Sequence, residues 1–155
     1  MKLYLVQHGE SKPETEDPER PLTDRGREDI ARLARLLARA AVSVAEIRHS
    51  GKRRAQETAQ ILAETLHPTR GVLLATGLAP KDPVEGIARE VSHLDEDIML
   101  VGHLPHLGRL ATVLLLAGRH EPPVVRFVPG TLLRLDRSGG WSVGWLVPPE
   151  LTLCS

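Results

Sequence analysis

Two mostly apolar runs, Lys2 to Gln7 and Asp97 to Val101, each lead to a histidine beside a glycine, as Gln7-His8-Gly9 and Gly102-His103. Short apolar runs of this kind suit strands buried on both faces of a parallel sheet. Parallel strands need long crossovers, and helical patterns fill the intervals here. The C-terminal ends of such strands are also where open α/β sheets place their ligands. The same feature therefore predicts a sheet sandwiched by helices and a rim that carries imidazoles. Glycine next to His8 is expected to let a substrate come close to the backbone.

The rest of the chain alternates in the same way. Glu10 to Arg20 reads as a polar, acidic loop, and Thr23 as the N-cap of a helix. Ile30, Leu33, Ala34, Leu37 and Ala41 give that helix one buried face, with Arg25, Arg32, Arg35 and Arg39 turned away from it. Val44 to Ser50 is a weaker strand, interrupted by the charges of Glu46 and Arg48. A helix should begin near Lys52, with Ala55, Ala59, Leu62 and Leu66 inward and Thr58 among them. Val72 to Ala75 predicts a third strand. Asp82-Pro83 has the signature of a helix start, followed by Val84, Ile87, Ala88, Val91 and Leu94 on one side. Pro105 should open a largely buried helix through Leu115. In the last third, Val124 to Val128, Thr131 to Asp136 and Trp141 to Leu146 predict strands, the last two joined by a hairpin at Ser138-Gly139-Gly140. The expected fold class is α/β: a mainly parallel sheet with helices on both faces and a C-terminal antiparallel hairpin, with residues 1–155 as one domain.

Composition excludes some functions. With a formal net charge of +0, nothing global steers this chain toward nucleic acid or an anionic membrane, so attraction for anions must be local. The apolar run from Leu110 to Ala117 is far short of the ~20 residues needed to span a bilayer. Leu3 to Val6 is too short for a signal-peptide core. Cys154 is the single cysteine, so no internal disulfide can form. A cytoplasmic protein is expected.

The chemistry-bearing residues gather where strands give way to helices. His8 and His103 end two strands that should open on one rim. A third such junction is His49-Ser50-Gly51-Lys52-Arg53-Arg54. Helix N-terminal amides hold anions, and arginine offers a fork of donors that fits phosphate oxygens. Arg54 directly precedes the buried stripe that begins at Ala55, so it is favoured over Arg53 as a clamp, with Lys52 as a helper. His106 is expected to face outward without a role, and His67, His93 and His120 to be surface residues. A zinc site from His8, His49 and His103 would lack any short His-x-His or His-x-x-x-His pair. Neither a metal nor another cofactor is expected.

These pieces resemble the histidine phosphatase superfamily, of phosphoglycerate-mutase-like fold. There a strand ends in Arg-His-Gly, a Ser-x-x-x-Arg-Ala-x-x-Thr segment follows, and a later histidine ends a short strand. This chain has Gln7-His8-Gly9, Ser50 to Thr58 with Arg54, and His103. Its short length, Arg20-Pro21-Leu22-Thr23 with Gly26, Gly102-His103-Leu104-Pro105, and Phe127-Val128-Pro129-Gly130 with Trp141 and Trp145 are most similar to the small SixA-type phosphohistidine phosphatases. The resemblance implies that His8 becomes phosphorylated, with Arg54 and His103 as its catalytic partners. It implies Gln7, Gly9, Ser50, Lys52 and Arg20 as phosphate-binding positions.

Two departures bear on the substrate. Gln7 stands where the family usually has an arginine, so Arg20 or Lys52 must supply the missing charge or the site is weaker. Gly77, before Leu78-Ala79-Pro80, stands where larger members carry a proton-donating glutamate; Glu10 and Asp82 are the fallback acids. An alkoxide leaving group needs a proton in the transition state, whereas imidazole has a conjugate acid of pKa about 6.5 and needs less help. The expected partner is therefore a histidine-phosphorylated protein. A small phosphorylated substrate, or a non-catalytic phosphate- or phosphoprotein-binding role caused by Gln7, are the alternatives. Nucleic acid and membrane are not expected partners.

Overall fold

The computed structural model describes residues 1–154, with the side chain of Cys154 outside the described set. Its elements run β1 (Lys2–Gln7), α1 (Asp24–Arg39), β2 (Glu46–His49), α2 (Arg53–Leu66), β3 (Val72–Leu74), α3 (Glu85–Val91), β4 (Ile98–Gly102), α4 (His106–Leu115), β5 (Leu132–Arg137) and β6 (Trp141–Val147), then a 3₁₀ turn over Pro149–Cys154. The strands form one sheet in the order β3-β2-β4-β1-β5-β6. β1 pairs with β4, and β2 with β3 and β4, in parallel; β5 runs antiparallel to both β1 and β6. The expected α/β architecture and its antiparallel C-terminal pair are both present.

Alternation along the strands divides the core in two. Tyr4, Val6, Met99 and Val101 pack with Ile30, Leu33 and Leu37 of α1 and Ala55, Ala59 and Leu62 of α2. Leu3, Leu5, Ile98 and Leu100 pack with Ile87 and Val91 of α3 and Leu107, Leu110 and Leu114 of α4. Each fully buried Leu or Ile stabilises the fold by roughly 1.5–3 kcal/mol, so both helical layers are firmly seated. Strand ends on the rim are thereby held between two packed layers.

α1 starts as its sequence predicts, with the Thr23 hydroxyl accepting from the Gly26 amide at 3.0 Å. It stops sooner than the apolar spacing suggested. Ala41 lies past the helix end, exposed, with φ +54°. Arg32 is not free on the outer face, because it pairs with Asp29 and Glu28. The Asp82-Pro83 pair does not start α3, whose N-cap is Val84. The Asp82 carboxylate instead accepts from the Ala79 amide at 2.9 Å and closes a turn ahead of the helix. Val124 to Val128 is not a strand: it forms no ladder, and the Val124 amide goes to Thr112 Oγ1 at 3.2 Å. Pro122, Pro123 and Pro129 deny this stretch amide donors at both ends.

Gly9 serves a purpose other than the expected one. A Cβ at Gly9 would lie 2.9 Å from the Gly26 carbonyl oxygen, and a Cβ at Gly26 would lie 2.1 Å from that of Glu10. Two bare backbones thus let α1 sit directly against the loop that follows His8. Gly26→Ala should separate them and lower stability by roughly 1–3 kcal/mol, as overpacking does. Gly86 in α3 has nothing within 4 Å of an added Cβ, so Gly86→Ala should instead raise the melting temperature. Thermal melts of both variants check this; an unchanged melting temperature for Gly26→Ala would contradict the close contact.

Candidate active site

In the β1–β4 register Gln7 faces Gly102, so the next residue on each strand, His8 and His103, leaves the sheet at the same rim. The His8 amide extends the ladder one step by donating to the Gly102 carbonyl at 3.1 Å. The two imidazole centroids are 5.0 Å apart, tilted by 52°. They face a cavity of about 400 Å³, whose walls also hold Gln7, Glu10, Ser11, Arg20, Arg54, Pro80, Leu104 and Pro129.

The tautomer of His8 follows from its partner. Nδ1 lies 2.7 Å from the Gly9 carbonyl oxygen, which can only accept, so Nδ1 carries the proton and Nε2 keeps its lone pair. Burial holds the imidazole neutral, pulling its pKa down to about 4, with Arg54 and Arg20 adding to the effect and the Gly9 bond opposing it. The Gly9 amide in turn donates to Thr58 Oγ1 at 3.1 Å, and the Thr58 hydroxyl donates to the Arg54 carbonyl at 2.8 Å. Fully buried Thr58 therefore ties the turn carrying His8 to the first turn of α2, which carries Arg54. A threonine inside the Ala55-Ala59-Leu62 stripe is the sequence signal for such a tie, because a buried hydroxyl needs partners.

His103 is held from the β2–α2 junction. Its Nε2 lies 2.6 Å from Ser50 Oγ, which also accepts from the Lys52 amide at 3.3 Å. Its Nδ1 is buried with no hydrogen-bond partner among the described residues. Burial, then the neighbouring His8, Arg54, Lys52 and His106, push its pKa down to about 3.

The arginines behave differently from one another. Arg53 is paired with Glu19 at 2.7 Å and with Glu57 at 3.3 Å. Arg54 lines the pocket, its Nε is buried without a partner, and no described carboxylate forms an ion pair with it. Burial, then nearby Arg20, lowers its pKa. Arg20, in left-handed backbone at φ +50°, turns toward Lys12 O and Ser11 Oγ, each at 3.4 Å, and meets no described carboxylate within ion-pair distance. Two guanidiniums that repel each other beside two neutral imidazoles form a local excess of positive charge. A phosphate would relieve it.

The remaining candidates fall into place around this centre. Gln7 lines the pocket with its Oε1 buried and unpartnered, and its amide can turn to present NH₂ instead. Lys52 lines an adjoining cavity that shares Arg20 and Arg54 with the pocket. Glu10 is in the pocket wall, but its carboxylate accepts from the Thr23 hydroxyl at 3.0 Å and lies 3.9 Å from Arg25. Asp82 is not in the wall; it caps its own turn. His49 Nδ1 accepts from the Gly51 amide at 3.1 Å. Among the described residues, no group of three or more His, Cys, Asp or Glu is placed to hold a metal ion.

His106 reverses its expectation. It is fully buried at the first position of α4, and among the described residues neither ring nitrogen has a partner in good hydrogen-bond geometry. Burial lowers its pKa, while the Gly77 backbone and Asp82 work in the opposite sense. The helix is buried around most of its circumference, including Leu107, Gly108, Leu110, Ala111 and Leu114, so its first turn has little outward face. That density of apolar residues was the available signal.

Comparisons with known proteins agree with this geometry. The sequence model of the histidine phosphatase superfamily (branch 1) matches residues 3–76, which include His8 and Arg54. An uncharacterized protein of Picosynechococcus sp. is 34% identical over 119 residues, covering 72% of this chain and 71% of that protein. The structure of the protein histidine phosphatase SixA complexed with tungstate superposes with a TM-score of 0.85 at 22% identity, over 97% of this chain and 99% of that one. The alpha-ribazole phosphatase from Shigella flexneri superposes with a TM-score of 0.77 at 19% identity, over 96% and 97% of the two chains. No helix among the described residues is long and apolar enough to cross a membrane. The chain belongs to the histidine phosphatase superfamily, branch 1, and is built on the fold of the SixA phosphohistidine phosphatase.

Proposed function

We propose that this protein is a phosphatase that works through a phosphorylated His8, and that its substrate is phosphohistidine in protein. The observation that carries the reading is the unprotonated Nε2 of His8 on the wall of a pocket that also holds the unpaired guanidiniums of Arg54 and Arg20. In the first step Nε2 attacks phosphorus in line. The new N–P bond forms as the bond to the leaving group breaks, while Arg54, Arg20 and an amide N–H of Gln7 take up charge on the non-bridging oxygens. A leaving imidazole carries its own proton on the ring nitrogen remote from phosphorus, so it departs neutral without an enzyme acid. Water then attacks the phosphorylated His8, releasing inorganic phosphate and restoring the neutral ring. Ser50 keeps His103 beside the transferring group.

The phosphohistidine preference rests on the pocket's acids. Among the described residues Glu10 is the one carboxylate in its wall, and it is engaged by Thr23. Asp82 is turned to the Ala79 amide. An alkyl phosphate, whose leaving group needs a proton, is therefore the poorer substrate. Arg20 takes the part of the arginine that Gln7 replaces, since it reaches the same pocket from the loop before α1.

Incubation with a phosphohistidine peptide should leave acid-labile, base-stable phosphate on the wild-type chain. His8→Ala should abolish both that label and turnover, lowering the rate by at least about 10³-fold. Turnover in His8→Ala at the wild-type rate would remove the covalent mechanism. The electrostatics make a separate prediction. Because burial and Arg54 depress the His8 pKa, its imidazole should titrate near 4 in NMR and stay neutral through the range where an ordinary histidine, at about 6.5, gains a proton. Arg54→Ala should move that midpoint upward. A His8 midpoint near 6.5 in the wild type would contradict the assignment of a buried, neutral nucleophile.

A further inference from the structure

The pocket of His8 is not isolated on its rim. It shares Arg20 and Arg54 with a trough of about 600 Å³. It shares Leu104 with an apolar groove of about 450 Å³. The trough lies at the start of α2, and the groove lies between the start of α4 and residues 123–127. Because α1 and α2 cover one face of the sheet and α3 and α4 the other, trough and groove flank the phosphate pocket from opposite sides of the sheet.

Their chemistries differ. Arg20, Lys52, Arg53 and Arg54 line the trough against the carboxylates of Glu14 and Glu19. Glu19 is already taken by Arg53. Among the described residues, no carboxylate lies in ion-pair contact with Arg20 or Lys52, so the trough keeps an unmet demand for negative charge. The groove is walled mainly by apolar groups, with Leu104 and Val124, which are 40% and 47% exposed, over Phe127 and the bare backbone of Gly108; Arg126 is the charged residue in its wall. Phosphate alone gives no reason for an apolar groove to open onto its pocket.

We propose that the substrate is a polypeptide whose phosphorylated residue is flanked by a carboxylate side chain on one side and an apolar side chain on the other. The carboxylate enters the Arg20–Lys52 trough and the apolar group enters the Leu104–Val124 groove. This deepens the phosphatase reading above and rests on it. Charge complementarity selects the first contact, and continuity with the reacting pocket selects the second. A polypeptide can place side chains to both sides of one phosphoryl group, whereas a compact phosphate ester reaches one side at most.

Binding of peptides that carry a hydrolysis-stable phosphonate mimic of phosphohistidine tests this without turnover. Four peptides combine Asp or Ala on one side of the mimic with Leu or Ser on the other, each made in both chain directions. In one direction the Asp–Leu peptide should bind about tenfold or more tightly than the Ala–Ser peptide. Val124→Asp should erase the preference for Leu while keeping the preference for Asp and the turnover of free phosphohistidine. Equal affinity across the peptides, or a Leu preference that survives Val124→Asp, overturns the proposal. Failure of the phosphatase reading would register separately, as an absence of free phosphohistidine turnover by the wild type, and the binding series would still decide the flanking contacts.

Discussion

Gln7 faces Gly102 across the parallel β1–β4 ladder, and that register sets where both imidazoles emerge. A slip of one residue would exchange the faces of β1, sending Tyr4 and Val6 into the α3–α4 layer and Leu3 and Leu5 into the α1–α2 layer. Both layers are packed against fully buried side chains, so the register is held from both sides. From it follow the 5.0 Å separation of the rings and the alignment of His8 with the first turn of α2. Thr58 completes the arrangement by accepting from Gly9 and donating to Arg54. One hydroxyl thereby couples the turn that carries His8 to the backbone of Arg54.

The site is electrostatically unfinished. Elsewhere in the molecule, Glu46 is held by Arg48 and Arg70, and Arg134 pairs with Asp136. At the rim, Arg54 and Arg20 crowd two imidazoles that burial keeps neutral, while Glu10 in the pocket wall is tied to Thr23 at the start of α1. Desolvated cations without partners cost stability, and a phosphate dianion offsets that cost when it binds. Gln7 brings no charge to this pocket, and the guanidiniums of Arg20 and Arg54 in its wall carry the positive charge there.

Much of the architecture was legible because it rests on local periodicity. The strand ending in His8, the strand ending in Gly102-His103, and the Thr23 cap each follow from a few consecutive residues. So does the difference between Arg54, next to the buried Ala55, and Arg53, which points to Glu19 and Glu57. What could not be read were properties set by neighbours distant in sequence. His106 is buried because α4 is enclosed on most sides, and Gly9 is needed because α1 approaches it through Gly26. Val124 to Val128 has the composition of a strand, but prolines on both sides leave it unpaired. The trough and the groove each join segments distant in sequence, and no local pattern announces them.

The central claim is that phosphorus sits between the Nε2 of His8 and the guanidinium of Arg54. A crystal structure with bound tungstate tests it most directly. The account predicts the oxyanion in line with His8 Nε2, with its oxygens about 2.7–3.2 Å from Arg54 and Arg20 donors. Tungstate held among Lys52 and Arg53, with His8 out of reach of it, would contradict the account.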